Sequence, residues 1–204
     1  MGRGGNETEE QNLSLEERLL YGRNTPIRRP GRQETREDGT LLWLDYKGRL
    51  HRDGELPAMV EPDGTEHYYR HGLRHREGNP AIIGPDGSEA WFEDDTPHRE
   101  GGPQSTAADG ERTWMVRGLL HNPAGPAIIR ADGSEVFYLE GEIHREGAPA
   151  ISMSDGAVYF YRHGRLDNPE GPAIISADGT EFFYIDGESL SEEEFRQLTG
   201  KSPS

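Results

Sequence analysis

Five histidines of this 204-residue chain, His51, His75, His98, His121 and His144, follow one another at steps of 24, 23, 23 and 23 residues. Imidazole titrates near neutral pH and is the commonest metal ligand, so a metal centre or a proton relay is the first chemistry to weigh. Four carboxylates, Glu66, Glu89, Glu135 and Glu181, keep the same phase, and paired carboxyls could do acid–base work. A further acid group, Glu93-Asp94-Asp95, is continuous. Whether any of these side chains can meet depends on what the period builds.

Seven Asp-Gly pairs mark that period, with the glycines at Gly39, Gly64, Gly87, Gly110, Gly133, Gly156 and Gly179. The steps are 25 and then 23 five times, which gives six full units and a seventh half unit. The fourth residue after each glycine is Trp43, Tyr68, Trp91, Trp114, Phe137, Phe160 or Phe183. The fifth is Leu44, Tyr69, Phe92, Met115, Tyr138, Tyr161 or Tyr184. Large side chains at adjacent positions suit a strand, which sends them to opposite faces. A second strand begins with Pro in Pro57-Ala58-Met59-Val60, Pro80-Ala81-Ile82-Ile83 and their counterparts, where a missing N–H disturbs a ladder least. Asp-Gly between two such runs predicts a tight antiparallel hairpin of type I′.

The pattern therefore predicts an all-β repeat protein, an elongated, twisted, single-layer antiparallel β-meander of ~23-residue hairpin units with short capping helices at both ends. A parallel solenoid is the alternative. Ser191 and Glu194 form a capping box before a helix over 192–199, and Gly200 suits its end. Ser14 and Glu17 predict another helix at about 15–21. Three segments follow: 1–36 with that helix and a basic linker, the repeat sheet over 37–187, and the helix and tail over 188–204.

On this scaffold the candidate chemistry disperses. Two strands per unit place equivalent side chains about 9.6 Å apart, while ligands of one zinc ion lie within about 2.1 Å of it. The histidines are expected to pack loops and satisfy backbone groups, with a local pair involving His67, His71 or His163 as the alternative. Asp167 takes their place in the sixth unit. The carboxylate row has one environment repeated, whereas an acid–base pair needs two. No metal, cofactor or enzymatic activity is expected. In the third unit Asp94-Asp95 replaces the usual Gly position and Pro103-Gln104-Ser105-Thr106 replaces Pro-Ala-Ile-Ile. The sheet is expected to lose burial and to bend or open near 94–109, with Glu93, Asp94 and Asp95 contacting a partner.

Composition bounds the partners. Apolar residues make only 31% of the chain, so a thick core is excluded. The formal charge of −16 argues against nucleic-acid phosphates and anionic membranes and for cationic proteins. No cysteine is present, and no apolar run is long enough to span a bilayer, so a cytoplasmic protein is expected. Residues 1–36 hold seven basic and six acidic side chains, which leaves nearly all the negative charge on the repeats.

Gly118-Leu119-Leu120-His121 with Gly125 and Asp132-Gly133, Gly141-Glu142-Ile143-His144 with Gly147 and Asp155-Gly156, and Gly72-Leu73-Arg74-His75 with Gly78 resemble the MORN (membrane occupation and recognition nexus) repeat. The likeness covers residues 38–187. His75-Arg76-Glu77-Gly78-Asn79-Pro80-Ala81 stands where His-Gly-x-Gly is usual, which looks like the bacterial and phage variant form and points away from lipid binding. The resemblance implies an elongated antiparallel sheet, a scaffold function, and the antitoxin or immunity roles given to variant members. The expected activity is binding of a basic protein partner, such as a cationic toxin or nuclease. Glu66, Glu89, Glu135, Glu181 and the Glu93 group are the candidate contacts. A nucleic-acid mimic that occupies a DNA-binding protein and a membrane-associated scaffold are the alternatives. Oligomeric state is left open.

Overall fold

A computed structural model describes residues 31–201 of the protein. Fifteen strands form one antiparallel sheet in chain order, opening with β1 (Arg32–Thr35), β2 (Leu41–Leu44), β3 (Met59–Val60) and β4 (Glu66–His67). The next two strands, β5 (Tyr69–Arg70) and β6 (Leu73–Arg74), stand outside it as a separate hairpin. The large sheet resumes with β7 (Ile82–Ile83) and β8 (Glu89–Ala90), and this alternation repeats to Glu181–Ile185 and Glu188–Leu190. The antiparallel meander is as the period predicts. A second row of five two-stranded hairpins runs beside it, built from three Gly-x-x-His segments and their counterparts ending at His98 and Asp167, which were not expected to be strands.

One residue per unit joins the two rows. Tyr68 donates its N–H to Ala81 O at 2.8 Å in the large sheet, and its own carbonyl accepts from His75 N at 3.1 Å in the second row. Trp91, Trp114, Phe137 and Phe160 do the same with Gln104 and His98, Ala127 and His121, Ala150 and His144, and Ala173 and Asp167. The aromatic strand thus changes partner at the fourth residue after its glycine.

The turn types differ from expectation. Each of the seven Asp-Gly pairs that mark the period closes a three-residue loop: in the third, Gly84 N–H donates to Ser88 O at 2.8 Å, Gly87 N–H to Gly84 O at 3.1 Å, and only Gly87 has positive φ. This is a type I turn ending in a glycine bulge. The Asp side chain accepts from the N–H two residues on, as Asp86 Oδ1 does from Ser88 at 2.9 Å. Two-residue turns with positive φ throughout occur in the second row, at His71-Gly72, Arg117-Gly118, Glu140-Gly141 and their equivalents. At Gly141 there is a second reason for glycine, because a Cβ would lie 3.3 Å from Leu119 Cδ2 of the preceding unit.

Those aspartates make the fold acid-sensitive. Backbone hydrogen bonds from Thr40, Thr65, Ser134 and Thr180 hold Asp38, Asp63, Asp132 and Asp178 below the ordinary carboxylate range, and the Ser88 side chain and N–H do so for Asp86. Asp45 is buried, which pushes its pKa up, but hydrogen bonds from Arg49, His71 and Lys47 outweigh that and leave it well below that range. A depressed folded pKa gives stability above the unfolded value of about 4 that is lost as pH falls through the folded one. Melting curves followed by circular dichroism are therefore expected to show Tm falling between pH 5 and 2. Asp45→Asn should remove part of that fall.

The beginning of the repeats needs correction. Residues 32–35, expected in the basic linker, form β1 and pair with β2 from Arg32↔Leu44 to Thr35↔Leu41, because Asp38-Gly39 requires a strand on each side. The 25-residue first step reflects a three-residue loop between Asp45 and Arg49 and one further residue between His51 and Pro57. The expected helix at about 15–21 lies outside the described residues.

The third unit does not open. Ser105–Thr106 pairs with β8 and with Arg112–Thr113 in the common register. Gln104, where other units have Ala, stays buried and donates Nε2 to Trp91 O at 2.8 Å. A long amide can be buried there because its N–H finds a backbone carbonyl. At the far end α1 (Glu192–Thr199) has the expected capping box at Ser191 and a left-handed Gly200 at φ 71°.

Candidate functional site

Register converts the repeat into rows of side chains. On one face Glu66, Glu89, Glu135 and Glu181 occupy equivalent positions, but Arg112 and Val158 take that place in two units, so the row is not continuous. Between them the returning strands insert Val60, Ile83, Thr106, Ile129, Ser152 and Ile175. Carboxylate and aliphatic positions thus alternate at about 4.8 Å, the spacing of neighbouring strands.

The aromatic row lies on that same face, since Tyr68 Oη donates to Glu66 Oε2 at 2.7 Å. Burial, and then this bond, push the Tyr68 phenol up to about 12. Trp43, Tyr68, Trp91, Trp114, Phe137, Phe160 and Phe183 alternate with Ala58, Ala81, Gln104, Ala127, Ala150 and Ala173, and all five alanines are 0% exposed. A small residue is needed where a long side chain must pass between two rings. Arg52, Arg76, Arg99 and Arg145 supply it, with guanidinium carbons 4.0, 3.7, 3.6 and 3.8 Å from the centroids of Trp43, Tyr68, Trp91 and Phe137. Each also donates to the carbonyl of the proline before the alanine or glutamine, Arg99 to Pro103 O at 2.9 Å.

These arginines escaped sequence reasoning, although a signal was present. The residue after each histidine position is Arg in four units and Asn in two, and Asn122 and Asn168 make the same bond to Pro126 O and Pro172 O at 2.8 Å. The two residue types share the loop bond and differ in the stack, so the stack can be isolated. Arg99→Asn is expected to cost about 0.5–1 kcal/mol, the range of a cation–π contact at a partly exposed site. Arg99→Ala should lose the loop bond as well and cost about 1–2 kcal/mol, read from urea unfolding of both variants.

The histidines hold successive units together. His71 N–H donates to His51 Nδ1 at 3.4 Å, Arg117 N–H to His98 Nδ1 at 3.0 Å, Glu140 N–H to His121 Nδ1 at 3.2 Å and His163 N–H to His144 Nδ1 at 3.2 Å. At the sixth junction Asp167 Oδ1 accepts from Asp186 N at 3.2 Å. The other turn N–H goes to the preceding unit's backbone, as from Gly141 to Leu120 O at 2.9 Å. Two local histidine pairs do form, His51 with His71 at 4.0 Å and His144 with His163 at 4.4 Å between centroids. Among the described residues no three His, Asp or Glu side chains are grouped so as to hold a metal ion.

The acid cluster of the third unit is already engaged. Asp94 Oδ1 lies 3.1 Å from both Arg70 Nη2 and His75 Nδ1, and Glu93 lies 3.8 Å from His98 Nε2. Asp95 Oδ1 accepts from Arg74 N at 2.9 Å while Asp95 N–H donates to Arg74 O at 2.9 Å. That reciprocal pair supports a non-glycine residue at φ 64°. Open grooves of about 560 and 610 Å³ lie between early units, lined by Trp91, Arg99 and His75 in one and by Trp43, Tyr46 and His51 in the other.

The site is thus a repeated surface of paired and stacked groups rather than a point where unlike groups converge. No helix among the described residues is long and apolar enough to cross a membrane. Compared with known proteins, the chain matches no family model, and no curated protein matches it.

Proposed function

We propose that this protein is a non-enzymatic recognition scaffold that binds a basic protein partner through the carboxylate-bearing face of its large sheet. The observation that carries the reading is the register: Glu66, Glu89, Glu135 and Glu181 recur on a fixed ladder, separated by Ile83, Ile129 and Ile175. Lysine and arginine side chains combine a cationic head with an apolar stem, and carboxylates set beside isoleucines offer both a contact, in a row that Arg112 and Val158 interrupt. A net charge of −16 speeds the encounter. Glu93, Asp94 and Asp95 are not assigned to the contact, because Arg70 and Arg74 already face Asp94 and Asp95, and Glu93 lies beside the His98 ring. The resemblance to MORN variants directs the search to cationic toxins and nucleases in a cytoplasmic setting.

A basic ribonuclease serves as the probe in a calorimetric titration against the protein, with duplex DNA as competitor. Replacing Glu66, Glu89, Glu135 and Glu181 together by Gln is expected to weaken binding at least tenfold. Replacing the exposed Glu37, Glu77, Glu100 and Glu146 by Gln removes the same charge and should weaken it far less. Equal losses in the two variants would reduce the interaction to bulk charge and overturn the assignment. Partners displaced by duplex DNA would favour the nucleic-acid mimic instead.

A further inference from the structure

We infer that the second row of hairpins carries proton-released clasps: mild acid frees the turn N–H that each imidazole accepts and loosens the junctions at His51, His98, His121 and His144, while the turn-glycine bonds to the preceding unit, such as Gly141 N–H to Leu120 O, and the large sheet stay paired. The inference concerns regulation and is independent of which partner binds. It rests on hydrogen-bond polarity. An imidazole that accepts a backbone N–H at Nδ1 must carry its single proton on Nε2, and a second proton would set a donor against a donor.

The six junctions are not alike in this respect. Four close on imidazole, at His51, His98, His121 and His144. One closes on the Asp167 carboxylate and one on the Asp95 carboxylate, which accepts from Arg74 N while the His75 ring lies 3.1 Å from Asp94 Oδ1 instead of on a turn N–H, so protonation of an imidazole breaks neither. The chain thus holds its own controls, and three sensitive junctions in succession, His98, His121 and His144, lie between them.

The groups facing each ring set the balance. His121 accepts from the turn that carries Glu140, with Glu142 two residues on, and no ion pair to its ring is formed among the described residues. His144 stacks at 4.4 Å on His163, itself 3.5 Å from Glu142, so charging both rings would be repulsive. His98 has Glu93 at 3.8 Å, a carboxylate that stands at Nε2, away from the clasp atom. His51 stacks on His71 at 4.0 Å, with Asp53 at 3.4 Å from its Nε2 and Asp45 at 3.2 Å from His71 Nδ1. Arg52, Arg99 and Arg145, each next in sequence to its ring, sit over the aromatic row, and Arg117 follows the pattern only through its N–H at the His98 junction.

Amide hydrogen exchange at pH 7.5 and 5.5, corrected for the intrinsic pH dependence, tests the clasp on the full chain. Protection of the Arg117, Glu140 and His163 amides is expected to fall at least tenfold in acid, and that of Asp95 and Asp186 to change less than twofold. A variant with His98→Asp, His121→Asp and His144→Asp copies the Asp167 junction and should lose the response. Nitrogen NMR of the unmutated chain at pH 7.5 should show the Nε2–H tautomer at His98, His121 and His144, which keeps the idea testable if that variant does not fold. Equal loss of protection at all junctions, a response that survives in the variant, or the Nδ1–H tautomer would each overturn it.

Discussion

Phe195→Ala is expected to destabilise the C-terminal end by about 3–5 kcal/mol, the cost of emptying a fully buried aromatic site. Phe195 is 0% exposed, and its ring lies 4.9 Å from that of Phe183, the last member of the aromatic row. An eight-residue helix is too short to persist alone, so the capping box at Ser191 and the left-handed Gly200 direct its ends while the Phe195 contact holds it to the sheet. Without that contact the edge at Glu188–Leu190 and the ring of Phe183 are uncovered, and an uncovered edge recruits other strands. Because each unit touches only its neighbours, unfolding should begin at the C-terminus and leave the first units protected. Urea unfolding combined with hydrogen exchange reads both quantities. A loss under 1 kcal/mol, or protection lost evenly along the chain, would show that the helix does not secure this end.

Ala127→Leu is expected to cost about 1–3 kcal/mol and to act at mid-sheet, where the damage divides the array. Ala127 is fully buried; its N–H donates to Val136 O at 2.8 Å, and its carbonyl accepts from Trp114 N at 2.7 Å. It stands between Trp114 and Phe137, about 9.6 Å apart by strand spacing, in the room that an arginine or asparagine crosses to reach a proline carbonyl. A leucine there collides with the Asn122 loop bond to Pro126 O. Ile128→Leu, on the same strand but the opposite face and only half-buried, conserves volume and should cost under about 1 kcal/mol. Thermal melts of the two variants side by side decide the matter. If the two cost the same, the alanine row is a composition habit and not a packing requirement.

Gln104 shows why such requirements were hard to read in advance. Its replacement of alanine looked like decay of the repeat, yet the amide finds Trp91 O across thirteen residues and the burial is kept. The same holds for Asp94-Asp95. Two carboxylates in a turn suggested a charge held out for a partner, but Arg70, Arg74 and His75 of the preceding unit face them.

Residue order was enough to read the period, the antiparallel hairpins at the Asp-Gly pairs that mark it, the aromatic columns and the helix over 192–199 with its caps. The period is read from recurrence every 23 residues, and the hairpins, columns and caps depend on residues within about five positions of one another, so composition and spacing carry the information. Tertiary structure alone decided that each aromatic strand serves two rows, that the type I′ turns sit at Glu140-Gly141 and its equivalents, and that the histidines accept N–H groups from the next unit. It also turned the arginines after those histidines onto the aromatic rings. The histidine clasps join residues nineteen or twenty apart. They exist because an antiparallel array lays one unit's loop beside the next unit's turn, and no local propensity reports which backbone donor that placement will leave in need of an acceptor.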